Sequence, residues 1–168
     1  MSLFMLSQLL VFLALISDVI SFQCRNRRTI LCWLVLSALL IAAHFAMLDS
    51  TVPAILMLLA ALRFLVSIFS QHRCWMLLFM GLAIVATLLA YASWLDGLSL
   101  IGSVLQTRAA FCRCDKSLRQ MMLLGSCFWL LNNLFRGSPA AVLMELVFIG
   151  SNLVGYYRFY LKKQPVDA

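Results

Sequence analysis

Long apolar runs, separated by short polar connections, make up nearly the whole chain, and they constrain its fold more than any other feature. A helix that crosses a bilayer needs roughly 20 mostly apolar residues, so seven such helices use about all of the 168 residues. We therefore predict an all-α membrane protein with seven transmembrane helices in one polytopic domain spanning 1–168. The predicted segments lie near 3–22, 30–48, 53–70, 74–92, 98–112, 119–135 and 139–160.

The composition supports a bilayer as the main partner. Hydrophobic residues make up 64% of the chain and charged residues only 11%, which is outside the range of soluble domains. The net charge of +7 does not indicate nucleic-acid binding, because Lys and Arg lie in short clusters between the apolar runs. The first run carries Asp18 and lacks a basic leader and a small-residue cleavage site, so we interpret it as a retained helix.

Basic residues alternate between the connections, and this alternation predicts the orientation. Positively charged short loops stay in the cytoplasm, so the odd-numbered connections and the C-terminal tail are predicted inside, with the N-terminus outside. The inside residues are Arg25, Arg27, Arg28, Arg73, Arg113, Lys116, Arg119, Arg158, Lys162 and Lys163. The other connections carry only Asp49, Asp96 and Arg136.

An internal similarity appears when the chain is aligned with itself at an offset of 89 residues. Helices one to three then match helices five to seven without a gap, and rare intramembrane polar positions coincide. The coinciding pairs include Ser37 with Ser126, His44 with Asn133, and Arg63 with Asn152. We predict two parallel three-helix repeats, about 1–70 and 98–160, joined by a linking helix at about 74–92.

Short stretches between Phe22 and Phe159 carry a family resemblance. They are His44-Phe45, Arg63, Arg73 with Trp75, Ile101-Gly102-Ser103, Phe111 with Cys114, Trp129 with Asn133, Gly137-Ser138, Glu145, Asn152 and Arg158-Phe159. With these stretches the chain resembles the YgjV family of bacterial inner-membrane proteins, which is itself similar to the SWEET and PQ-loop (MtN3-like) small-solute transporters. The resemblance implies an inner-membrane location and a helical-bundle carrier fold, and it supplies no substrate.

One departure from the SWEET and PQ-loop pattern concerns proline. Those transporters have hinge prolines inside membrane helices, whereas this chain has only Pro53, Pro139 and Pro165. The first two lie where a membrane helix begins, a position that tolerates proline. Gating at proline hinges is therefore not expected.

Polar residues inside the predicted spans are the candidate solute-binding residues. Such groups are costly without a partner and usually face the bundle interior or water. The candidates are His44, Arg63, Trp129, Asn133, Glu145 and Asn152. Three alternatives stay open: hydrogen bonds that only join helices, packing or interfacial anchoring by Trp129, and an ion pair between Glu145 and Arg63.

Asp18 and Arg108 form a second candidate pair. Each lies about one turn from the predicted cytoplasmic end of its helix, so the two could pair as an inner gate. The alternative is that both extend to the membrane interface.

No residue pattern indicates an enzyme. No serine lies in a nucleophile motif next to a base, and Cys112-x-Cys114 lacks the spacing of a zinc site. We therefore expect no catalytic residue, cofactor or metal, and we expect the six cysteines to pack as buried, reduced side chains. The leading hypothesis is a carrier of small polar solutes; the alternative is a non-transporting scaffold or an assembly or lipid-associated protein. Homo-oligomerisation stays open.

Overall fold

The computed structural model describes residues 3–47, 51–89, 91, 93–135, 137 and 139–162. These residues contain seven α-helices and no strand, which confirms the all-helical prediction. The helices are α1 (Leu3–Gln23), α2 (Arg27–Met47), α3 (Thr51–Phe69), α4 (Arg73–Leu89), α5 (Trp94–Ala110), α6 (Asp115–Phe135) and α7 (Pro139–Tyr156), and a π-helical turn (Tyr157–Leu161) extends α7. Asp49, Arg136 and Lys163 of the orientation argument lie outside the described residues.

Three helices begin three or four residues earlier than the hydropathy of the chain predicted. They are α2, α5 and α6, which start at Arg27, Trp94 and Asp115. At the start of α5 the Asp96 carboxylate accepts a hydrogen bond from the Ser93 backbone N–H at 2.8 Å. This bond is one half of a capping box and satisfies a backbone donor at the helix start. A first turn that contains polar residues can be helical without lengthening the apolar run. Hydropathy therefore placed the start of these helices too late.

Length and apolar composition support membrane crossing most directly for two helices. Among the described residues, Leu6–Gln23 and Arg27–His44 are long and apolar enough to span a bilayer. Met57–Phe69 and Arg73–Leu89 are apolar but shorter. The crossing of all seven helices therefore stays a prediction.

The helices pack in two groups of three. In the first group α2 lies against both α1 and α3, and in the second α6 lies against both α5 and α7. The groups meet where α1 contacts α7 and where α3 contacts α5. The principal contact of α4 is with α5.

The outer surface of the bundle is more apolar than that of a water-soluble bundle. Every helix exposes large apolar side chains; examples are Phe12, Leu39, Leu62, Leu88, Ile101, Leu131 and Leu143. The interior holds an apolar core around Phe22 and also small polar side chains, because Ser7, Ser21, Ser67 and Ser126 are fully buried. Several of these serines bond the preceding turn of their own helix, as Ser67 does to the Phe64 carbonyl at 2.7 Å. This distribution is typical of a bundle surrounded by lipid.

The prediction that the cysteines pack as buried side chains was wrong for four of the six. Cys32, Cys74, Cys114 and Cys127 are exposed, whereas Cys24 and Cys112 are half-buried and pack against the apolar core. All six thiols are free. The positions of the four exposed residues turn their thiols toward the outside of the bundle, which apolar spacing alone did not indicate.

Candidate functional site

A cavity of about 710 Å³ lies inside the bundle, and we call it the central cavity. Most of its wall is apolar, yet each of the seven helices contributes a polar side chain. In chain order these include Asp18, Ser37, Arg63, Thr87, Gln106, Asn133 and Glu145. A cavity that draws one polar group from every helix is suited to hold a small polar molecule against several donors and acceptors.

The central cavity brings together five of the eight residues singled out from the sequence. They are Asp18, Arg63, Trp129, Asn133 and Glu145. Of these, Asp18 was expected at a gate rather than at a binding site. The other three, His44, Asn152 and Arg108, are not among the residues that line this cavity.

Arg63 is held by its own helix and by α5. Its Nη1 donates a hydrogen bond to Thr107 Oγ1 at 3.0 Å, and its guanidinium lies 4.7 Å from the centre of the Phe64 ring. The buried Nε of Arg63 makes no hydrogen bond to any described residue. No ion pair joins Arg63 to Glu145 within the described chain, so that structural alternative was wrong. The guanidinium therefore keeps donors that the protein itself does not use.

Two carboxyl groups, those of Asp18 and Glu145, also line the central cavity. The Asp18 carboxyl is next to the Ser37 hydroxyl, and the Glu145 carboxyl is next to the Ser126 hydroxyl. The Ser126 hydroxyl does not reach hydrogen-bonding distance of a described partner. The two carboxyls are close enough to interact electrostatically. They therefore offer acceptors to hydroxyl or ammonium groups.

Two glycines set the positions of polar residues in the wall. A Cβ added at Gly102 would lie 2.8 Å from Trp129 Cδ1, and one added at Gly125 would lie 2.9 Å from Gln106 Cγ. Real Cβ atoms do not approach neighbours this closely, so α5 and α6 need glycine at both positions. Because Trp129 and Gln106 line the central cavity, the two glycines shape it. The Gly102 position was visible in the sequence, but its packing role was not.

His44 and Asn152 join helices outside the cavity lining. His44 Nδ1 lies 3.0 Å from the Ser7 carbonyl oxygen of α1. Asn152 is fully buried, and its Nδ2 donates to the Arg119 carbonyl oxygen at 3.0 Å. The contacts of these two residues therefore fit the alternative in which polar side chains form hydrogen bonds that only join helices.

The proposed gate pair does not form. Asp18 lines the central cavity, whereas Arg108 is exposed and lines a different cavity near the helix ends. The helical period explains the separation: Arg108 is two residues beyond Gln106, which faces the central cavity, and so points away from that face. Within the described residues no ion pair links Asp18 and Arg108.

Two buried arginines were noticed in the sequence only as loop charges. Arg27, in the first turn of α2, donates to the backbone oxygens of Ala110 and Cys112 at the end of α5 and, at 2.9 Å, to that of Ser67 in α3. Carbonyl groups at helix ends lack partners within their own helix and carry partial negative charge. Arg27 therefore joins the first group of helices to the second.

Arg119 makes the reverse connection. It lies in the first turns of α6 and is fully buried, and its guanidinium donates to the backbone oxygens of Phe22, at 2.7 Å, and Cys24 at the end of α1. Gly155 leaves room for this contact, because a Cβ there would lie 2.0 Å from the Phe22 carbonyl oxygen and 2.4 Å from Arg119 Nη1. We call the end of the bundle that holds both arginines the basic end.

Comparison with known proteins places this architecture in a family. The model of the Imp-YgjV family, described as bacterial inner membrane protein, matches residues 5–163. The chain belongs to the Imp-YgjV family. It is 24% identical over 168 residues to the inner membrane protein YgjV of Escherichia coli (strain K12), covering 99% of this chain and 92% of that protein. No solved structure matches the chain.

Membership of the Imp-YgjV family confirms the resemblance to the YgjV family and makes the chain a bacterial inner membrane protein. That setting accounts for the exposed apolar side chains on every helix. It also makes the buried polar groups candidates for a functional role, because polar residues inside a membrane protein commonly line pathways or binding sites.

Proposed function

We propose that this Imp-YgjV protein is a carrier of SWEET-like type that binds a small polar solute in the central cavity. The observation that carries the proposal is the cavity of about 710 Å³ to which all seven helices contribute a polar side chain. Its volume lies within the roughly 300–1,000 Å³ of small-molecule sites. A bundle that served only as a scaffold would gain nothing from keeping such groups around an open space, because buried polar groups without partners are destabilising.

The proposed topology has seven membrane spans, with the N-terminus outside and the C-terminus in the cytoplasm. Its support is the concentration of Arg and Lys at the basic end, where α1, α3 and α5 end and α2, α4 and α6 begin. Short loops rich in these residues are retained in the cytoplasm. The basic end is therefore the cytoplasmic end in this proposal.

Two parallel three-helix repeats, α1–α3 and α5–α7, are the proposed internal architecture, with α4 as the linking helix. Matching hydrogen bonds support it. Arg63 of α3 donates to Thr107 of α5, and Ser151 of α7 donates to the Val19 carbonyl oxygen of α1 at 2.9 Å. The 89-residue offset relates these two contacts to within one residue. Each joins the third helix of one repeat to the first helix of the other.

In this mechanism the residues of the cavity bind the solute by complementary polar contacts. Arg63 supplies N–H donors to a carboxylate or hydroxyl oxygen, and Asn133 donates and accepts through its amide. Glu145 and Asp18 accept from hydroxyl or ammonium groups, while the ring of Trp129 packs against an apolar face of the solute. Transport requires the two repeats to separate at the basic end, which means releasing the contacts of Arg27 and Arg119. A solute can drive that change only if it binds the two states with different affinity.

The second candidate function is a non-transporting scaffold or an assembly or lipid-associated protein. The observation in its favour is that His44 and Asn152 are engaged in helix-to-helix hydrogen bonds rather than in the cavity wall. A scaffold needs its buried polar groups to be paired by hydrogen bonds within the protein in this way. Asn133 and Glu145 follow the other pattern, because they face the central cavity. Arg63 combines the two patterns, because it bonds Thr107 of α5 and also lines the cavity.

A ligand screen tests the carrier against the scaffold. Purified protein in detergent would be melted in the presence of sugars, amino acids, uronates and organic acids, and compounds that raise the melting temperature would be tested for uptake into proteoliposomes. We expect at least one chemical class to stabilise the protein and to be taken up. A screen in which no class does either would contradict the carrier.

Two adjacent asparagines provide a matched pair of variants for this test. Asn133 lines the central cavity, whereas Asn132 is buried outside it. Asn133→Ala should abolish stabilisation by the solute and its uptake while changing the melting temperature little. Asn132→Ala should lower the melting temperature and leave solute binding intact in the folded protein. If Asn133→Ala lowered the melting temperature and left solute binding intact, the result would favour the scaffold.

A further inference from the structure

A second cavity, of about 660 Å³, lies at the basic end between α4 and α5, and we call it the arginine cavity. Three guanidinium groups line it, from Arg73 at the start of α4, Arg108 in the last turn of α5, and Arg113 in the following loop. Arg108 and Arg113 lie close together in the chain, whereas Arg73 belongs to a different helix. The fold brings Arg73 to the other two.

The positive charge of the arginine cavity is not neutralised by the protein. No Asp or Glu is among its lining residues. The nearest acidic residue along the chain, Asp115, is engaged elsewhere, because it faces Arg119 at 3.8 Å and accepts a hydrogen bond from the Tyr160 hydroxyl. Within the described residues none of the three arginines forms an ion pair. An anion is the complementary ligand.

Apart from Gln71 and Cys112, the rest of the wall is apolar. Met76 and Met80 follow Arg73 on the same face of α4, one and two turns further along the helix, and Phe111 lies opposite at the end of α5. The Phe111 ring lies 6.2 Å from the Phe79 ring, centre to centre. Phe79 lines the central cavity, so these two rings stand between the two cavities. The arginine cavity is a separate site.

We propose that the arginine cavity binds the phosphate headgroup of an anionic phospholipid, such as phosphatidylglycerol or cardiolipin. The three guanidinium groups hold the phosphate by charge-assisted hydrogen bonds. The glycerol and upper acyl chains lie along Met76, Met80 and Phe111. Basic pockets between membrane helices bind lipids of this chemistry.

The position of α4 favours a lipid over a free phosphorylated solute. Its principal contact is with α5, and it exposes apolar side chains along most of its length, among them Leu77, Leu78, Val85 and Leu88. The crevice between α4 and α5 therefore continues from the arginines onto a surface that faces acyl chains. A soluble phosphate would use the arginines but would leave the apolar wall exposed.

The test measures lipid binding without any transport assay, so its outcome is independent of the proposed carrier function. Delipidated protein in detergent would be titrated with cardiolipin, phosphatidylglycerol, phosphatidylethanolamine or inorganic phosphate. Bound lipid would be counted by native mass spectrometry and stabilisation followed by melting. We expect cardiolipin and phosphatidylglycerol to bind and stabilise, and phosphatidylethanolamine and phosphate to do neither at the same concentration.

The site variant combines Arg73→Gln, Arg108→Gln and Arg113→Gln. All three side chains are exposed, so we expect the variant to fold and its melting temperature without lipid to stay unchanged. A charge-assisted hydrogen bond from each guanidinium group to the phosphate contributes about tenfold in affinity. The triple variant should therefore lose at least about 100-fold in affinity.

A matched control removes three exposed arginines from the same end of the protein but outside the cavity. It combines Arg25→Gln, Arg28→Gln and Arg158→Gln. The net charge falls equally, so we expect the control to bind anionic lipid nearly as well as the unaltered protein. Equal losses in both variants would overturn the proposal, because they would show a diffuse attraction. Equal stabilisation by inorganic phosphate and by lipid would also overturn it.

Discussion

Arg27 and Arg119 bind opposite groups of helices, each at the end of the other group's first helix. Arg27 donates to carbonyl oxygens at the end of α5, and Arg119 donates to those at the end of α1. Each arginine therefore bonds the group of helices to which it does not belong. Two similar contacts hold the two groups together at the basic end. Losing either one should loosen the contact between the groups at this end.

The first prediction concerns Arg119. Replacing it with Gln removes two charge-assisted hydrogen bonds from buried carbonyl groups, each contributing about 1.5–3 kcal/mol. We expect a loss of about 3 kcal/mol or more in the free energy of unfolding, measured by melting or denaturation in detergent. Arg158→Gln is the control, because that side chain is exposed. Equal melting temperatures for the two variants would show that the contact does not stabilise the bundle.

Gly155 provides an independent test of the same contact. A methyl group at this position meets the Phe22 carbonyl oxygen and Arg119 Nη1 at impossible distances. Gly155→Ala should therefore cost about 1–3 kcal/mol by overpacking.

Gly150→Ala is the matched control for Gly155→Ala on the same helix. An added Cβ at Gly150 meets nothing within 4 Å. Replacing glycine with alanine within a helix should stabilise by up to about 1 kcal/mol. A Gly155→Ala variant as stable as the control would show that α7 does not approach the end of α1 this closely.

Gly102 tests the shape of the central cavity. Gly102→Ala forces the Trp129 ring to move, because the new methyl group would lie 2.8 Å from its Cδ1. We expect solute binding and uptake to fall by at least tenfold, while the protein still folds. Gly97→Ala in the same helix, where nothing lies within 4 Å, should bind solute normally. Unchanged binding in both variants would exclude Trp129 from the solute site.

Arg63 and Glu145 should behave as independent residues. Because no ion pair joins them, the effects of Arg63→Gln and Glu145→Gln on stability should add in the double variant to within about 0.5 kcal/mol. Melting of the two single variants and the double variant measures this directly. Recovery of stability in the double variant would reveal a buried ion pair and contradict the assigned contacts of Arg63.

Cys114 makes the pH dependence of thiol labelling informative. It is exposed in the loop between α5 and α6, and its Sγ lies 3.1 Å from the Ser117 hydroxyl. This hydrogen bond lowers the pKa of the Cys114 thiol below its ordinary value. The reactive thiolate is therefore present at lower pH than for an ordinary cysteine, and alkylation at neutral pH should be faster. In Ser117→Ala the rate profile should shift to higher pH; an unshifted profile would contradict the assignment.

The same thiol tests the proposed orientation. In spheroplasts of cells that express a variant with Cys114 as its only cysteine, a membrane-impermeant maleimide should fail to label it until the membrane is opened. Gly97→Cys, placed in the variant without other cysteines, lies at the opposite end of α5 and should react from outside. Labelling of Cys114 in intact spheroplasts would contradict a cytoplasmic basic end.

Local features of the sequence were enough to predict the helices and some of the polar side chains that line the central cavity. Apolar runs of spanning length determine the helices, and intramembrane polarity singled out Arg63, Asn133 and Glu145, which face the central cavity. The polar first turns of α2, α5 and α6 were missed because they are helical without being apolar. Such turns depend on capping rather than on hydropathy.

The remaining features depend on how each helix is rotated against its neighbours. His44 looked equivalent to Asn133, but the rotation of α2 brings His44 to the Ser7 carbonyl instead. Arg119 looked like a loop charge, yet its acceptor at Phe22 is 97 residues away in the chain. The hydropathy and spacing of residues in the sequence do not indicate contacts between positions so far apart in the chain.

The two arginines of the basic end also bear on biosynthesis. The acceptors of Arg27 at the end of α5 are 83 and 85 residues further along the chain, so they have not yet been made when α2 leaves the ribosome. In the proposed topology, Arg27 stays hydrated at the cytoplasmic membrane surface until they arrive, and its charge favours that orientation of the chain. Once α5 is in place, the same guanidinium joins the two groups of helices. In that topology a single residue acts first in orienting the nascent chain and later in its assembly.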